Sequence, residues 1–241
     1  NPIITSKIQE QKNPSIELTL SDKDFDYLDS NKKEFVKTVL PIIINENQNI
    51  LMIRSFVNEL KGKLETFRTL NNNEIRKLND IAKKYNIKYQ NKHKLDLVDE
   101  ILSNVDVIPN SIVLAQAAIE SGWGKSRFAK EYNALFGEYT YDDSEGVIPL
   151  ERENGDTHLI KAFSSYSNSV ESYFDNINSH YAYEDFRDIR NIMRKRNNFS
   201  NVNLLVNKLS TYAEDENYIK TIRQVIKTNN FGIFDQKTIS Y

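Results

Sequence analysis

The hydrophobic positions of this chain recur mostly three and four residues apart, which is the spacing of amphipathic α-helices. The pattern starts at Asp22, after a polar stretch with two prolines (1–20) that is expected to be extended or poorly ordered. Pro41 interrupts the first helical pattern and is expected to kink it or to begin the next helix. The predicted helices are 22–40, 43–67, 73–85, 94–102, 107–120, 168–179, 184–196, 201–212 and 215–228, with a short helical turn at 127–129.

Residues 135–165 hold most of the strand-like alternation of apolar and polar positions. Two runs, 147–151 and 158–163, flank Asn154 and Gly155, a pair that strongly favours a β-hairpin turn. Glycine and proline number only 7 and 5, which favours helices over a turn-rich β fold. We therefore predict a mainly α fold with one small β-hairpin lobe beside the helix at 107–120, and a cleft between the two.

The helix predicted at 107–120 is apolar and ends in a carboxylic acid. Its first twelve residues carry no charge, and Glu120 follows in the last turn, directly before Ser-Gly-Trp-Gly. Gly122 and Gly124 can take the positive φ that ends a helix. Burial and the negative end of the helix dipole both raise the pKa of Glu120, and an acid that stays protonated near neutral pH suits general acid catalysis. The alternative is a glutamate that caps the helix or forms a salt bridge.

Composition is that of a globular protein and excludes several functions. The 241 residues are 39% hydrophobic and 27% charged, enough to bury a sizeable core. A net charge of −2 argues against a dedicated nucleic-acid binder. The absence of cysteine excludes disulfides and thiolate catalysis. The richest apolar run, 39–44, is too short to span a bilayer, so no membrane span is expected.

Sequence patterns of other chemistries are missing. The three histidines, His93, His158 and His180, lack the close spacing of a metal site. Neither a Gly-x-Ser-x-Gly nucleophile turn nor a phosphate-binding glycine loop occurs. We therefore expect no metal and no cofactor.

Two motifs carry a resemblance to a known family. Residues 118–124, Ala-Ile-Glu-Ser-Gly-Trp-Gly, are followed by Asn-Ala-Leu-Phe-Gly at 133–137. Together they resemble the signature of the glucosaminidase-domain family of peptidoglycan hydrolases, and within it the bacterial Bax-like branch. The combination is specific, whereas either motif alone is weak evidence. Further matching residues are spread over about 32–232.

The resemblance implies a lysozyme-like α fold with a substrate groove between a helical lobe and the hairpin. It implies cleavage of β-1,4 bonds in peptidoglycan or a related N-acetylglucosamine-containing glycan, with Glu120 as the general acid and without a cofactor. The expected organisation is an extended lead-in at 1–20, an N-terminal helical extension at 21–105, a glucosaminidase-like catalytic domain at 106–232 and a C-terminal tail at 233–241. The extension either packs behind the catalytic domain or partly covers the groove.

A second catalytic carboxylate is harder to assign. In much of the family the partner lies on the hairpin, a few residues before a glycine turn, and Glu151 fits that description as a base or charge stabiliser. Glu138, in the Phe-Gly-Glu-Tyr turn, is a rival, as are Glu145 and Glu153. Assistance by the N-acetyl group of the substrate is the remaining option.

Aromatic residues supply the other candidates. Tyr218 matches a family position and either hydrogen-bonds near the reacting sugar or packs in the core. Ten of the 13 tyrosines follow residue 130, and sugar rings suit the flat body and polar tip of tyrosine. The predicted substrate-binding residues are Trp123, Phe136, Tyr139 and Tyr212.

The most favoured function from sequence is thus an endo-β-N-acetylglucosaminidase. One alternative is lytic transglycosylase cleavage, which leaves anhydro-sugar ends, and another is a non-catalytic glycan-binding or assembly module. The chain begins at Asn1 without an initiator Met, so a mature exported protein that has lost its signal segment is expected. Its expected location is the cell envelope, in the periplasm.

Overall fold

The structure is a computed structural model that describes residues 22–148, 159–197, 201–212 and 217–237, and most of the predicted helices are present in it. The predicted mainly α class with a small β lobe is confirmed. The helices are α1 (Ser30–Glu65), α2 (Asn72–Lys84), α3 (Lys94–Asn104), α4 (Asn110–Glu120), α5 (Arg127–Tyr132), α6 (Tyr166–Ser179), α7 (Glu184–Lys195), α8 (Val202–Val206) and α9 (Tyr218–Thr228). The strands are β1 (Tyr139–Thr140), β2 (Gly146–Val147) and β3 (Leu159–Lys161), and short 3₁₀ segments lie at Asp22–Phe25, Tyr181–Tyr183 and Phe231–Lys237.

The first helix is longer than the sequence pattern indicates. The expectation that Pro41 begins a new helix is wrong, because α1 continues through it as a single helix of 36 residues. Pro41 lies on the exposed face between buried Leu40 and Ile43, so the backbone hydrogen bond that its ring removes is on the solvent side. The helix starts only at Ser30, where the side chain of Asp29 accepts a hydrogen bond from the Lys32 amide at 3.0 Å. Among the described helices, none is both long and apolar enough to cross a bilayer.

The helix that carries Glu120 also begins later than predicted. Its first turn starts at Asn110, after Pro109. The preceding residues are extended because Asn47 of α1 holds Ile108 from both sides, accepting from its amide at 3.0 Å and donating to its carbonyl at 2.8 Å. Another predicted helix, 201–212, is reduced to α8 and a series of turns.

The β lobe is a three-stranded antiparallel sheet in the order β1-β3-β2. Val147 pairs with Ile160 in β3, so the predicted antiparallel pairing of the two segments is confirmed. On the other side of β3, Tyr139 pairs with the same Ile160, and this strand was not predicted. The predicted hairpin turn at Asn154 and Gly155 lies outside the described residues.

One hydrophobic core runs through the predicted N-terminal extension and the predicted catalytic domain. Helix α1 contacts α3, α4 and α6, and the last 3₁₀ segment packs on α4. Phe234, which the sequence assigns to the tail, is buried, and its carbonyl accepts a hydrogen bond from Asn110 at 2.8 Å. Asp235 accepts from the amide of Ser111 at 2.8 Å and from its hydroxyl at 2.7 Å, so this segment holds the first turn of α4.

A buried ionic cluster joins the segment before α4 to α1 and α7. Asp106 is fully buried and accepts from Nε and Nη2 of Arg194 at 2.8 and 2.5 Å. Arg54 Nε lies 3.3 Å from the same carboxylate, and Arg190 donates to the Asp106 carbonyl at 2.9 Å. Burial by itself raises the pKa of Asp106, but the Arg194 bonds and the neighbouring charges of Arg54 and Arg190 bring it below its ordinary value.

A second cluster joins α1, α2 and α6 around Lys84, which faces three carboxyl groups. Its ammonium lies 2.7 Å from Glu171 and 3.4 Å from Asp175, and the buried Glu46 of α1 is also close enough to interact. Burial raises the pKa of Asp175 to about 7 despite the Lys84 charge, with Glu171 and Glu46 adding repulsion. Burial also raises the pKa of Glu46. The hydroxyl of Tyr85 is buried beside these groups.

Replacing Asp175 by Asn is expected to make the stability of the fold depend less on pH between about 4 and 7. Because the folded-state pKa of Asp175 is above the value of 3.8 that it has when unfolded, the native state binds the extra proton. The wild-type protein should therefore lose stability from about pH 4 to pH 7, by about 4 kcal/mol from this group, and the variant should not show this loss. Urea unfolding at several pH values measures the difference. Asp185→Asn, at an exposed carboxylate, is the control, and stability curves that stay parallel for Asp175→Asn and wild type would contradict the prediction.

Candidate active site

The C-terminal end of α4 presents Glu120 beside a tight turn. Three consecutive residues after the helix have left-handed backbone: Gly122 (φ 56°), Trp123 (φ 60°) and Gly124 (φ 74°). The amides of Gly122 and Trp123 bond back to carbonyls of the last helical turn at 3.3 and 2.8 Å. The glycines adopt the predicted positive φ, and Trp123 adds a strained non-glycine position between them. This turn ends the helix immediately beyond the glutamate.

Glu120 is a partly buried acid without an ion-pair partner among the described residues. Burial raises its pKa, and a hydrogen bond from Tyr218 offsets part of that rise. The direction agrees with the sequence-based expectation for a carboxyl at the end of an apolar helix. The alternative of a salt-bridged glutamate has no support in the described part of the chain.

A line of buried hydrogen bonds ends on Glu120. The Tyr218 hydroxyl of α9 donates to Oε1 of Glu120 at 2.7 Å. Its oxygen accepts from Nε2 of Gln116 at 3.0 Å, and Oε1 of Gln116 accepts from the Tyr173 hydroxyl of α6 at 2.6 Å. Gln116 and Tyr173 are fully buried. Burial keeps the pKa of both tyrosines well above 10, so their hydroxyls are neutral at any physiological pH.

Stacked aromatic rings attach the β lobe to this line. Tyr212 stacks on Tyr218 with ring planes 2° apart and centroids 5.7 Å apart, and its hydroxyl donates to the Phe136 carbonyl at 3.0 Å. The ring of Phe136 stacks on Tyr173 at 4.2 Å. Gly137 follows with φ 62°, and a Cβ atom built on it would lie 3.5 Å from Oε2 of Glu120. The turn into the β lobe therefore passes directly beside the acid.

Glu138 is the second carboxyl that the structure brings to these tyrosines. Its Oε2 accepts from the Ser172 hydroxyl at 2.9 Å, while its Oε1 is buried without a hydrogen-bond partner in the described residues. Burial raises its pKa to about 7, with the Ser172 bond and the charge of Lys161 acting in the opposite direction. The charges of Glu138 and Glu120 both raise the pKa values of Tyr173 and Tyr183. The two carboxyls thus act on the same two tyrosines.

The other predicted site residues have different surroundings. Glu151 lies outside the described residues. Tyr139 on β1 is 64% exposed, beside the turn at Gly137. Trp123 is partly buried and packs against Phe35 and Phe231, with the Lys32 ammonium over its ring at 5.1 Å. These contacts attach the end of α4 to α1 and to the last 3₁₀ segment.

Phe136 is more buried than expected for a residue that contacts substrate, and the structure adds two residues to the site. The sequence predicts that Phe136 contacts substrate; in the structure the residue is 2% exposed and its ring stacks on Tyr173. Gln116 and Tyr173 were not predicted. Gln116 precedes Glu120 by four residues and so lies on the same helix face, a signal that could have identified it. Tyr173 is distant in sequence, and its hydroxyl reaches Gln116 only in the tertiary structure, where α6 packs on α1. Among the described side chains, no group of three or more histidines or carboxylates could hold a metal ion.

A family comparison covers this region. The glucosaminidase family model, described as mannosyl-glycoprotein endo-beta-N-acetylglucosaminidase, matches residues 95–231. The match includes Glu120, Glu138 and Tyr218, together with every element that positions them from α4 to α9. The chain belongs to the glucosaminidase family. The resemblance carried by the two sequence motifs is thereby confirmed.

Two curated proteins are similar to this glucosaminidase family member. The protein Bax of Escherichia coli is 31% identical over 213 residues, which cover 87% of this chain and 74% of Bax. The peptidoglycan hydrolase FlgJ of Escherichia coli is 35% identical over 92 residues, covering 34% of this chain and 29% of FlgJ. Among solved structures, the catalytic domain of the autolysin Auto from Listeria monocytogenes is 18% identical with a TM-score of 0.42, covering 79% of this chain and 97% of that domain.

Proposed function

We propose that this protein is a peptidoglycan hydrolase of the endo-β-N-acetylglucosaminidase type, with Glu120 as its general acid. The observation that carries the proposal is the partly buried carboxyl of Glu120, whose Oε1 is held by Tyr218 while its Oε2 lies at the turn of Gly137. Membership of the glucosaminidase family supports the glycosidase chemistry, and the similarity to FlgJ supports peptidoglycan as the substrate.

The proposed reaction begins with proton transfer from Glu120 to the glycosidic oxygen. The bond from that oxygen to C1 of the N-acetylglucosamine breaks, its electrons stay with the departing sugar, and positive charge develops on the ring that remains. Water then supplies a hydroxyl to C1, which leaves a reducing end, and the other proton of that water replaces the proton that Glu120 gave. Because burial raises the pKa of Glu120, the carboxyl retains the proton that the first step needs.

The second group of the reaction is either a carboxylate or the acetamido group of the substrate. Glu151 retains its sequence-based candidacy as a base or charge stabiliser. Glu138 gains support from its position among the tyrosines that surround Glu120 and from its pKa of about 7. An ionised Glu138 would stabilise the positive charge that develops on the sugar ring.

Replacing Glu138 by Gln tests this assignment. If ionised Glu138 contributes, the pH profile of wild-type kcat/KM includes a titration near pH 7 that the variant lacks, and the variant is about tenfold slower. Asp143→Asn, at an exposed carboxylate of the same lobe, is the matched control. A wild-type rate and pH profile in Glu138→Gln would exclude the contribution. Glu151→Gln measured alongside would then separate the hairpin glutamate from assistance by the acetamido group.

Digestion of purified peptidoglycan, read by mass spectrometry, tests the proposed activity. Fragments that end in reducing N-acetylglucosamine are the expected product. Products lighter by one water, with anhydro-sugar ends, would instead establish lytic transglycosylase cleavage. Binding of the glycan without any product would favour a non-catalytic module. The substrate also leads us to propose the cell envelope, and specifically the periplasm, as the place of action.

A further inference from the structure

Gln116 lies one helical turn before Glu120, and both ends of its amide are engaged. Nε2 donates to the Tyr218 oxygen at 3.0 Å, and Oε1 accepts from the Tyr173 hydroxyl at 2.6 Å. Gln116 and Tyr173 are inaccessible to solvent, and Tyr218 is nearly so. In such surroundings an unsatisfied donor or acceptor costs free energy. Each tyrosine hydroxyl must therefore donate its proton to an acceptor within this series of hydrogen-bonded side chains.

The amide orientation follows from the protons that are available. In the described part of the chain, Gln116 is the one hydrogen-bond partner of the Tyr173 hydroxyl. If the amide were reversed, Tyr173 would accept from Nε2 and its own proton would be left buried without an acceptor. The carbonyl of Gln116 therefore faces Tyr173, and the NH₂ group faces Tyr218.

This orientation determines whether the Tyr218 hydroxyl donates its proton to Glu120 or accepts one from it. Because Nε2 already donates to the Tyr218 oxygen, the single hydroxyl proton of Tyr218 is directed to Oε1 of Glu120, 2.7 Å away. An Oε1 that accepts this proton is not the atom that carries the carboxylic acid proton. That proton is left to Oε2, which lies beside Gly137, where the absence of a side chain keeps space open.

We propose that Gln116 is a positioning residue, which directs the Tyr218 proton to Oε1 of Glu120 and so keeps the acidic proton on Oε2, at the turn into the β lobe. This inference rests on the proposed role of Glu120 as the general acid. Gln116 touches no reacting atom and acts through Tyr218.

Replacing Gln116 by Met, a side chain of similar length without polar atoms, removes both amide contacts. Tyr218 can then turn its oxygen lone pair towards a protonated Oε1, so the protonated form of Glu120 gains stability and its proton is less often on Oε2. The pKa of Glu120 is expected to rise by about 0.5 to 1, and kcat/KM to fall about tenfold. A carbon-13 NMR titration of labelled glutamate carboxyls measures the pKa without substrate, and Glu120→Gln assigns the signal.

Ser111→Ala is the matched control, since Ser111 is a buried polar residue of the same helix that bonds Asp235 at the opposite end. It should lower the unfolding temperature but leave the Glu120 titration and the pH profile of kcat/KM as in wild type. Tyr173→Phe, which removes only the hydroxyl that orients the amide, should raise the pKa of Glu120 in the same direction by a smaller amount. Tyr173→Phe also tests the inference if Gln116→Met does not fold.

A Glu120 titration unchanged from wild type in Gln116→Met and Tyr173→Phe, with both variants folded, would overturn the positioning role. The titration does not depend on turnover. A wild-type protein that cleaves no glycan but shows the expected titration shifts would therefore contradict the proposed function and leave the Gln116 inference supported.

Discussion

Replacement of Glu120 by Gln is expected to lower the rate of glycan cleavage by about 10²- to 10⁴-fold while the fold is retained. Glutamine keeps the shape of the side chain and can still accept the hydrogen bond from Tyr218, but it has no proton to give to the glycosidic oxygen. The substitution leaves no buried charge unpaired, because the wild-type carboxyl has no ion-pair partner in the described residues. Release of soluble fragments from peptidoglycan measures the rate.

Glu131→Gln, at an exposed position of α5, is the matched control and should cleave at the wild-type rate. Glycan binding by Glu120→Gln should also persist, because the substitution removes the proton donor and not the groove. Loss of binding together with turnover would favour the glycan-binding module. Cleavage at the wild-type rate by Glu120→Gln would exclude Glu120 as the acid.

The pH dependence of the wild-type enzyme follows from the same residue. Burial raises the pKa of Glu120, and in the proposed reaction this acid acts in its protonated form. The rate should therefore fall as pH increases through that raised pKa. This fall should be absent from the residual activity of Glu120→Gln.

Replacement of Asp106 by Ala is expected to be the most destabilising single change, lowering the free energy of unfolding by about 3 to 5 kcal/mol. The substitution leaves Arg54, Arg190 and Arg194 close together without the carboxylate that Arg54 and Arg194 contact directly. The loss is a large part of the roughly 5 to 15 kcal/mol by which a domain is stable, and should lower the unfolding temperature by roughly 10 °C. Urea denaturation and calorimetry measure it.

Asp185→Ala is the control, because Asp185 pairs with Lys208 at 2.8 Å but is 73% exposed. Such exposed pairs contribute about 0 to 1 kcal/mol. Asp106→Asn, which keeps the shape and removes only the charge, should lie between the two if the arginines need the charge. Equal losses for Asp106→Ala and Asp185→Ala would show that the buried cluster contributes nothing beyond an exposed pair.

Local sequence signals determined most of the elements because they are short-range. The helical spacing of apolar residues, the Asn71 cap of α2 and the glycines after Glu120 act within a few residues of where they stand. The signals failed where a distant contact decided the local structure. Extended residues before α4 depend on Asn47, 61 positions away from Ile108, and Pro41 is tolerated because of the face of α1 on which it lies.

The sequence by itself determined that this protein is mainly α-helical, that it belongs with the glucosaminidases and that a buried acid stands at the end of an apolar helix. These conclusions depend on residue order within one helix and one motif. Only the tertiary structure decided what surrounds that acid. Tyr173, Gly137 and Tyr218 come from separate parts of the chain. Packing of α9 on α4 and of α6 on α1, together with the turn into the β lobe, brings them within hydrogen-bonding or contact distance of Gln116 or Glu120. The direction of the Tyr218 hydroxyl proton towards Glu120 depends on that geometry, which no local sequence pattern encodes.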